Sequence, residues 1–408
     1  MLRDVLRREL DRMEPGLEPI LHGRAADWLQ QHGMVADAVR HAMAAGDTVC
    51  ARDLVHRDYF RVANDGQVST AISWFDTLGA ATLQSDARLL VARAMTAVLS
   101  GDLEGGLAWL QEAEGRPDLD PATRDDIEAK TALLHQMHSY ADGDMARACD
   151  WSAVALRRVP RDDVWHGTAL AHAAGVDLRR GEDDTALHAL RRCLTRADAT
   201  AHHLLAVRAM GNLQVLYCGR GDRDAVREWV DRAAGDPRWQ RLDEHTLTYA
   251  RHFAEGWLAL AEDRPEAAEP CLDRAWELVR RGPYRVEQAE VRATLAIARA
   301  RLGRTADAAG LRADVKRILA GCPSPGRLVV PAGESAAGPE TGAGGRLTER
   351  EVAVLAVLAE GLTNAQMARR LHVSERTVAA HLRAIYRKIG VGTRSAATRY
   401  ALDNNLSH

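Results

Sequence analysis

The chain has 408 residues, of which 46% are hydrophobic, 27% charged and 5% aromatic, the balance of a globular protein too long for one core. No apolar run approaches the roughly 20 residues of a membrane span, and the N-terminal MLRDVLRREL lacks the apolar centre of a signal peptide, so a cytoplasmic location is expected. The net charge of -3 hides an asymmetry: from Arg346 onward ten Lys/Arg face five Asp/Glu, leaving 44 against 52 in the preceding residues. A small basic module on a larger acidic body suits a nucleic-acid reader joined to something that does not touch nucleic acid.

In chain order, the first predicted elements are irregular helix pairs around AADWLQQHGMVADAVRHAMAAGD and AISWFDTLG, beginning near residue 18. From about residue 100 a turn signature then recurs. It reads GDLEGG at Gly101, GDMARA at Gly143, GEDDTA at Gly181, GDRDAV at Gly221, DRPEAA at Asp263 and GRTADA at Gly303. The spacings are 42, 38, 40, 42 and 40 residues, and five places after each start stands Gly106, Ala148, Ala186, Val226, Ala268 or Ala308. Glycine takes the left-handed conformation that closes a first helix, the acidic residue suits the start of a second, and the small residue lets the two approach. Between the turns, apolar residues follow a helical period, as in Leu204, Val207, Met210, Leu213 and Leu216. The expectation is a stack of helical hairpins over residues 18–321, each burying its apolar face on the next. The turn resembles that of tetratricopeptide repeats, although the period is nearer 40 residues than 34.

Trp109, Trp151, Trp165, Trp229, Trp257 and Trp276 read as hairpin core rather than a ligand cage. The six cysteines (Cys50, Cys149, Cys193, Cys218, Cys271 and Cys322) stand singly with no C-x-x-C pair and read as reduced thiols. His135 with His138, and His202 with His203, lack a carboxylate or cysteine at ligand spacing, so no metal site is expected. No G-x-x-x-x-G-K, G-x-S-x-G or H-E-x-x-H occurs, and none of the three lysines follows a glycine. The chain is not expected to be an enzyme or to carry a cofactor.

Residues 322–346, CPSPGRLVVPAGESAAGPETGAGGR, carry six glycines and four prolines and read as a flexible linker. A second domain, 347–408, follows with dense punctuation. Thr348 with Glu351 forms a capping box and starts a helix whose buried face is Val352, Leu355, Ala359 and Leu362, ended by Gly361. Thr363 with Gln366 repeats the box for a short second helix facing inward through Ala365, Ala368 and Leu371. Ser374 caps a third helix with Val378, Leu382, Ile385 and Ile389 inside, and Thr393 a fourth. Two short helices joined by a tight turn, the second longer and basic outside, fit a major groove. The outer face of the third helix holds Arg376, Ala379, Ala380, Arg383 and Arg387. Arg383 suits a bidentate contact to guanine, and the alanines a thymine methyl. Thr363, Asn364, Ser374, Thr377, Lys388 and Arg394 are placed for phosphates. Ala397, Tyr400 and Ala401 lie on one side of the fourth helix, the expected dimerisation face. The plainer alternative is a four-helix surface with solvated arginines.

The segment LTEREVAVLAVLAEGLTNAQMARRLHVSERTVAAHLRAIYRKIGVGTRSAA resembles the LuxR-type helix-turn-helix family through L-T-x-R-E, E-G-L-T-N, S-x-x-T-V, H-L and R-K-I-G-V. It departs at Ala379, where the family often carries lysine, so that base or phosphate contact is absent. The N-terminal body, through HGRAADWLQQHGMVADAVRHAMAAGD, AISWFDTLG and DARLLVARAMTAVLSGDLEGGLAWL, resembles the helical region of the large ATP-binding, MalT-like LuxR regulators. In that family a nucleotide-binding switch domain precedes this region, and residues 1–17 resemble the connecting segment that leaves it.

The resemblance implies an all-α protein: a tetratricopeptide-like superhelix followed by a four-helix LuxR-type domain. Its implied function is a sequence-specific, DNA-binding transcription regulator that pairs as a homodimer on double-stranded DNA, with no membrane contact. The array would bind a small-molecule effector or a protein partner, and RNA polymerase is a further candidate partner. Two other readings stay open. One is the output half of a split ATP-dependent regulator; the other is a protein-interaction adaptor with weak DNA specificity.

Overall fold

The computed structural model describes residues 9–10, 12–331, 349–371, 378, 381, 382, 385 and 394–403, and divides into two compact units, Met1–Ala337 and Gly338–His408. Among the described residues the chain is helical with no strand. The first unit begins with α1 (Leu17–Gln31), α2 (Val35–Ala44), α3 (Thr48–Asn64) and α4 (Val68–Gln84). Pairs follow: α5 (Ala87–Leu99) with α6 (Leu103–Glu114), α7 (Pro121–Ala141) with α8 (Met145–Arg158), and α9 (His166–Arg180) with α10 (Asp183–Thr200). Next come α11 (His203–Arg220), α12 (Arg223–Gly235) and the short α13 (Pro237–Arg241). The unit closes with α14 (Tyr249–Ala261), α15 (Pro265–Val279), α16 (Arg285–Arg301) and α17 (Thr305–Ala320).

Each of the six signature turns lies between the two helices of a hairpin. Gly101, Gly143, Gly181, Gly221 and Gly303 take φ between 70° and 89°, and Asp263 holds the same left-handed region at φ 56° without being glycine. The residue five places on is packed inside every time. Ala148, Ala186, Val226, Ala268 and Ala308 are fully buried, and a Cβ on Gly106 would come within 3.0 Å of Leu134 and Val98. Asp102, Asp144 and Asp222 cap their helices, accepting from the backbone N–H of Gly105, Arg147 and Ala225. Glu182 makes no such bond, its longer side chain being a poorer N-cap. The same pattern closes three earlier turns that the 40-residue period does not reach: Gly33, Gly46 and Gly66 have positive φ, and Ala38, Ala51 and Ala71 behind them are fully buried.

The hairpins curl until distant turns meet. The Asn64 amide donates to the Ala201 carbonyl (2.8 Å) and accepts from the Leu204 N–H (3.2 Å), while Asp65 pairs with Arg241 (3.4 Å). Helix α11 lies in the middle and is buried around most of its circumference, which explains why its sequence is apolar on every side. Of the tryptophans, Trp165, Trp229 and Trp257 are buried and Trp109, Trp151 and Trp276 half-buried, all packed into the hairpin cores. All six cysteines are free, three of them buried.

The expected linker needs correction. Residues 322–331 do not leave the array but dock along it as a strap. Ser324 exchanges backbone hydrogen bonds with Gly143 and Met145, and its hydroxyl donates to Asp144 (2.8 Å). Gly326, at φ 72°, passes so close to the Arg179 carbonyl that any Cβ would clash. Arg327 donates to the Leu178 carbonyl (2.8 Å) and pairs with Asp183, and Val329 is buried. The composition of the whole segment masks its first ten residues, whose Cys322, Leu328, Val329 and Val330 are apolar enough to pack. The remainder, 332–346, lies outside the described residues.

Candidate nucleic-acid interface

The second unit contains α18 (Glu349–Ala359), α19 (Asn364–Arg370) and α20 (Arg394–Asp403) around one core. Gly361 at φ 78° follows the end of α18, its N–H bonded to the Leu358 carbonyl (3.0 Å). Thr363 and Gln366 form the expected capping box: the threonine hydroxyl accepts from the Gln366 N–H (3.3 Å), and the glutamine oxygen accepts from the Thr363 N–H (2.8 Å). The box expected at Thr348 lies outside the described residues.

The buried face of α18 is Val354, Leu355, Val357 and Leu358, rotated from the expected one. Val352, Ala359 and Leu362 are only half-buried. On α19 the buried residues are Met367 and Ala368, with Ala365 and Leu371 half-buried. Met367, outside the expected face, is fully buried in the module's core. Val378, Leu382 and Ile385 are buried as expected, at i, i+4 and i+7. Ile389 lies outside the described residues. So do Ser374, Arg376, Thr377, Ala379, Ala380, Arg383, Arg387 and Lys388, the greater part of the expected DNA-contacting set.

Three expected contacts are described and are largely engaged within the module. Thr363 caps α19. Arg394 donates to the Asn364 side-chain oxygen (3.0 Å), to the Leu362 carbonyl and toward the Met367 sulfur (3.6 Å), so it braces the start of α20 against the start of α19. The dimerisation face is corrected: Ala397 and Ala401 are fully covered by their own module and cannot reach a second copy, because α20 packs that side onto α18. Of the three residues, Tyr400 alone keeps exposed surface.

Residues 346–401 match the family model described as bacterial regulatory proteins, luxR family. The C-terminal module is a LuxR-type domain. Over 52 residues the chain is 54% identical to the nitrate/nitrite response regulator protein NarP of Escherichia coli, covering 13% of this chain and 24% of that protein. The transcriptional regulatory protein YdfI of Bacillus subtilis is 43% identical over 61 residues, 15% of this chain and 29% of that one. A longer match, 31% identity over 161 residues, is to the serine/threonine-protein kinase PknK of Mycobacterium tuberculosis, covering 39% of this chain and 14% of the kinase. The chain thus spans under a third of the length of each of these relatives.

Among solved structures, a signal transduction ATPase with a tetratricopeptide repeat sensor from Pyrococcus horikoshii covers 78% of this chain and 56% of its own, at TM-score 0.48 and 14% identity. A tetratricopeptide repeat protein from Parabacteroides merdae covers 66% and 93%, at TM-score 0.34 and 12% identity. Among the described residues no helix is long and apolar enough to cross a membrane.

Proposed function

We propose that the chain is a sequence-specific DNA-binding transcription regulator acting in the cytoplasm, in which the repeat array controls the LuxR-type module. The observation that carries this reading is the match of residues 346–401 to the luxR family, on a unit with its own core. In this reading Arg376, Arg383 and the Ala379–Ala380 pair read base edges. Ser374, Thr377, Arg387 and Lys388 hold phosphates, and Thr363, Asn364 and Arg394 support the helix ends that approach them. A homodimer would set two recognition helices in successive major grooves, roughly 10 bp apart. Its contact through α20 would centre on Tyr400. The array supplies a surface for an effector or a protein partner, and RNA polymerase is the natural recipient of an activating contact. The N-terminal resemblance to MalT-like regulators belongs to the same proposal.

Footprinting of the full chain and of residues 338–408 on DNA around the chain's own gene tests the reading. Protection of one site by both, resistant to competing random DNA, is the expected result. Protection that spreads evenly over all sequences would instead leave an adaptor with a non-specific basic module.

A further inference from the structure

The interior of the array holds a partly open cavity of about 340 Å³, within the roughly 300–1,000 Å³ typical of small-molecule sites. It forms where the curled hairpins fail to meet. Residues from the α3–α4 turn, the end of α5, α9, α11 and the segment 241–247 face one another there, with Tyr284 closing one side. Much of the wall is apolar, including Val98, Met137, Leu204 and Leu205.

Two polar wall residues are unusual. His172 on α9 is 1% exposed, yet among the described residues neither ring nitrogen has a hydrogen-bond partner. The nearby Tyr140 hydroxyl donates to Glu287 (2.6 Å) and makes no hydrogen bond to the imidazole. A buried imidazole with both nitrogens unmet is expensive unless something in the cavity meets them. Arg208 on α11 is the second. Arg241 pairs with Asp65, and Glu244 holds Arg274 and Arg281, so the other charged wall residues are matched. Among the described residues Arg208 has no carboxylate partner; it donates to the Tyr284 hydroxyl (2.6 Å) and lies 5.0 Å over that ring. That leaves most of a five-donor fork without an anion.

The neighbouring groups do not cancel its charge. Burial, followed by the field of Arg208, drives His172 well below the usual histidine range and His245 down to about 4, so both stay neutral. His202 is likewise lowered to about 4 by burial and its neighbour His203. Glu287, which shares a smaller adjoining pocket with Arg208, is held at one oxygen by Tyr140 and by Arg179 (3.6 Å), and no ion pair joins it to Arg208 among the described residues.

We propose that this cavity binds a small, mainly apolar monocarboxylic acid. Its carboxylate would sit on the Arg208 guanidinium and the Tyr284 hydroxyl, within reach of the His172 imidazole, and its tail among Val98, Met137, Leu204 and Leu205. Arg208 supplies the charge, Tyr284 still has its own proton to donate, and His172 gains a partner on binding. The apolar wall disfavours acids carrying a second charge, since that charge would be buried without a counterion. The inference deepens the proposed sensor role of the array and rests on it for biological meaning, not for the binding itself.

The test is calorimetric titration of the full chain with 3-phenylpropanoate and octanoate, with 3-phenylpropanamide as the uncharged comparison. At least one acid should bind saturably, and the amide about tenfold or more weakly than its acid. Arg208→Gln should erase the acid–amide difference, Arg208→Lys should restore part of it, and Leu205→Trp should fill the cavity and abolish binding of both. Helical circular dichroism and melting temperature check that each variant folds, and the acid–amide comparison in the unaltered chain needs no substitution at all. Failure of both acids to bind, or equal binding of acid and amide, overturns the proposal. Footprinting with and without the bound acid separates the two readings: binding without any change in the footprint supports the cavity and removes the sensor role.

Discussion

Arg179 and Glu290 form a bidentate ion pair in which both side chains are almost completely excluded from solvent, one of its two bonds measuring 3.1 Å. The pair joins α9 to α16, and the same Glu290 carboxylate accepts the N–H of Val329 on the strap (2.8 Å). One carboxylate therefore couples two distant hairpins and the strap docked along them. Glu287 stands beside it, and the two carboxylates keep the guanidinium charged despite its burial.

Removing one partner of a buried pair exposes the full desolvation penalty of the other. Glu290→Gln should destabilise the array by roughly 3–5 kcal/mol in urea denaturation. It should also speed amide hydrogen exchange at Val329. A loss within error of zero would show that the pair does not hold the strap.

Gly143 and Gly221 have nearly the same backbone, at φ 74° and 70°, but different surroundings. A Cβ on Gly143 would lie 2.6 Å from the Cys322 sulfur, whereas one on Gly221 would meet nothing within 4 Å. Alanine at either position should cost about 1–2 kcal/mol of left-handed strain. Gly143→Ala should in addition displace the strap and make residues 322–331 cleavable by protease, which Gly221→Ala should not.

Three histidines, His172 and His202 buried and His245 half-buried, make the array sensitive to acid. His202 and His245 titrate near 4 in the folded chain and His172 well below its usual value, against about 6.5 when unfolded. As pH falls below that value the unfolded chain binds protons first, so this stability is intact above pH 6.5 and lost progressively toward 4. His202→Phe, which keeps the ring contact with Phe60, should shrink the stability lost between pH 7.5 and 5 by about 2 kcal/mol. An unchanged pH slope would mean that His202 is already charged in the fold.

In the LuxR-type module, Thr363→Ala removes the capping box and should cost about 1 kcal/mol. Arg394→Met should also lower the melting temperature of residues 338–408, because its guanidinium braces Leu362, Asn364 and Met367. If Arg394 served only DNA phosphates, the melting temperature would stay put and only the salt dependence of binding would change.

On DNA, Arg383→Ala should cost about 1–3 kcal/mol at its cognate base step and leave other sequences unaffected. Lys388→Ala should weaken binding to all sequences alike and flatten the salt slope by about one unit. Competition binding at two salt concentrations distinguishes the two patterns.

The hairpin turns were legible because each is a local device: a left-handed glycine and, five residues on, a side chain small enough for two helices to touch. Asp263 shows that the pattern survives loss of the glycine itself, and the buried Ala38, Ala51 and Ala71 show it working at spacings that hide it from a search for one period. The capping box at Thr363 and the inward run of Val378, Leu382 and Ile385 were legible for the same reason. The exact face of α18 was not, because which of eleven residues turn inward depends on the crossing of α18 with α20.

Sequence by itself therefore determined the helical hairpins and the LuxR-type module, both carried by contacts within a few tens of residues. Tertiary structure alone decided that residues 322–331 are a docked strap, that Ala397 and Ala401 are core, and that His172 and Arg208 share one cavity wall. Each of these depends on side chains brought together by the curl of the array or the packing of one helix on another, and no local spacing records where such surfaces meet.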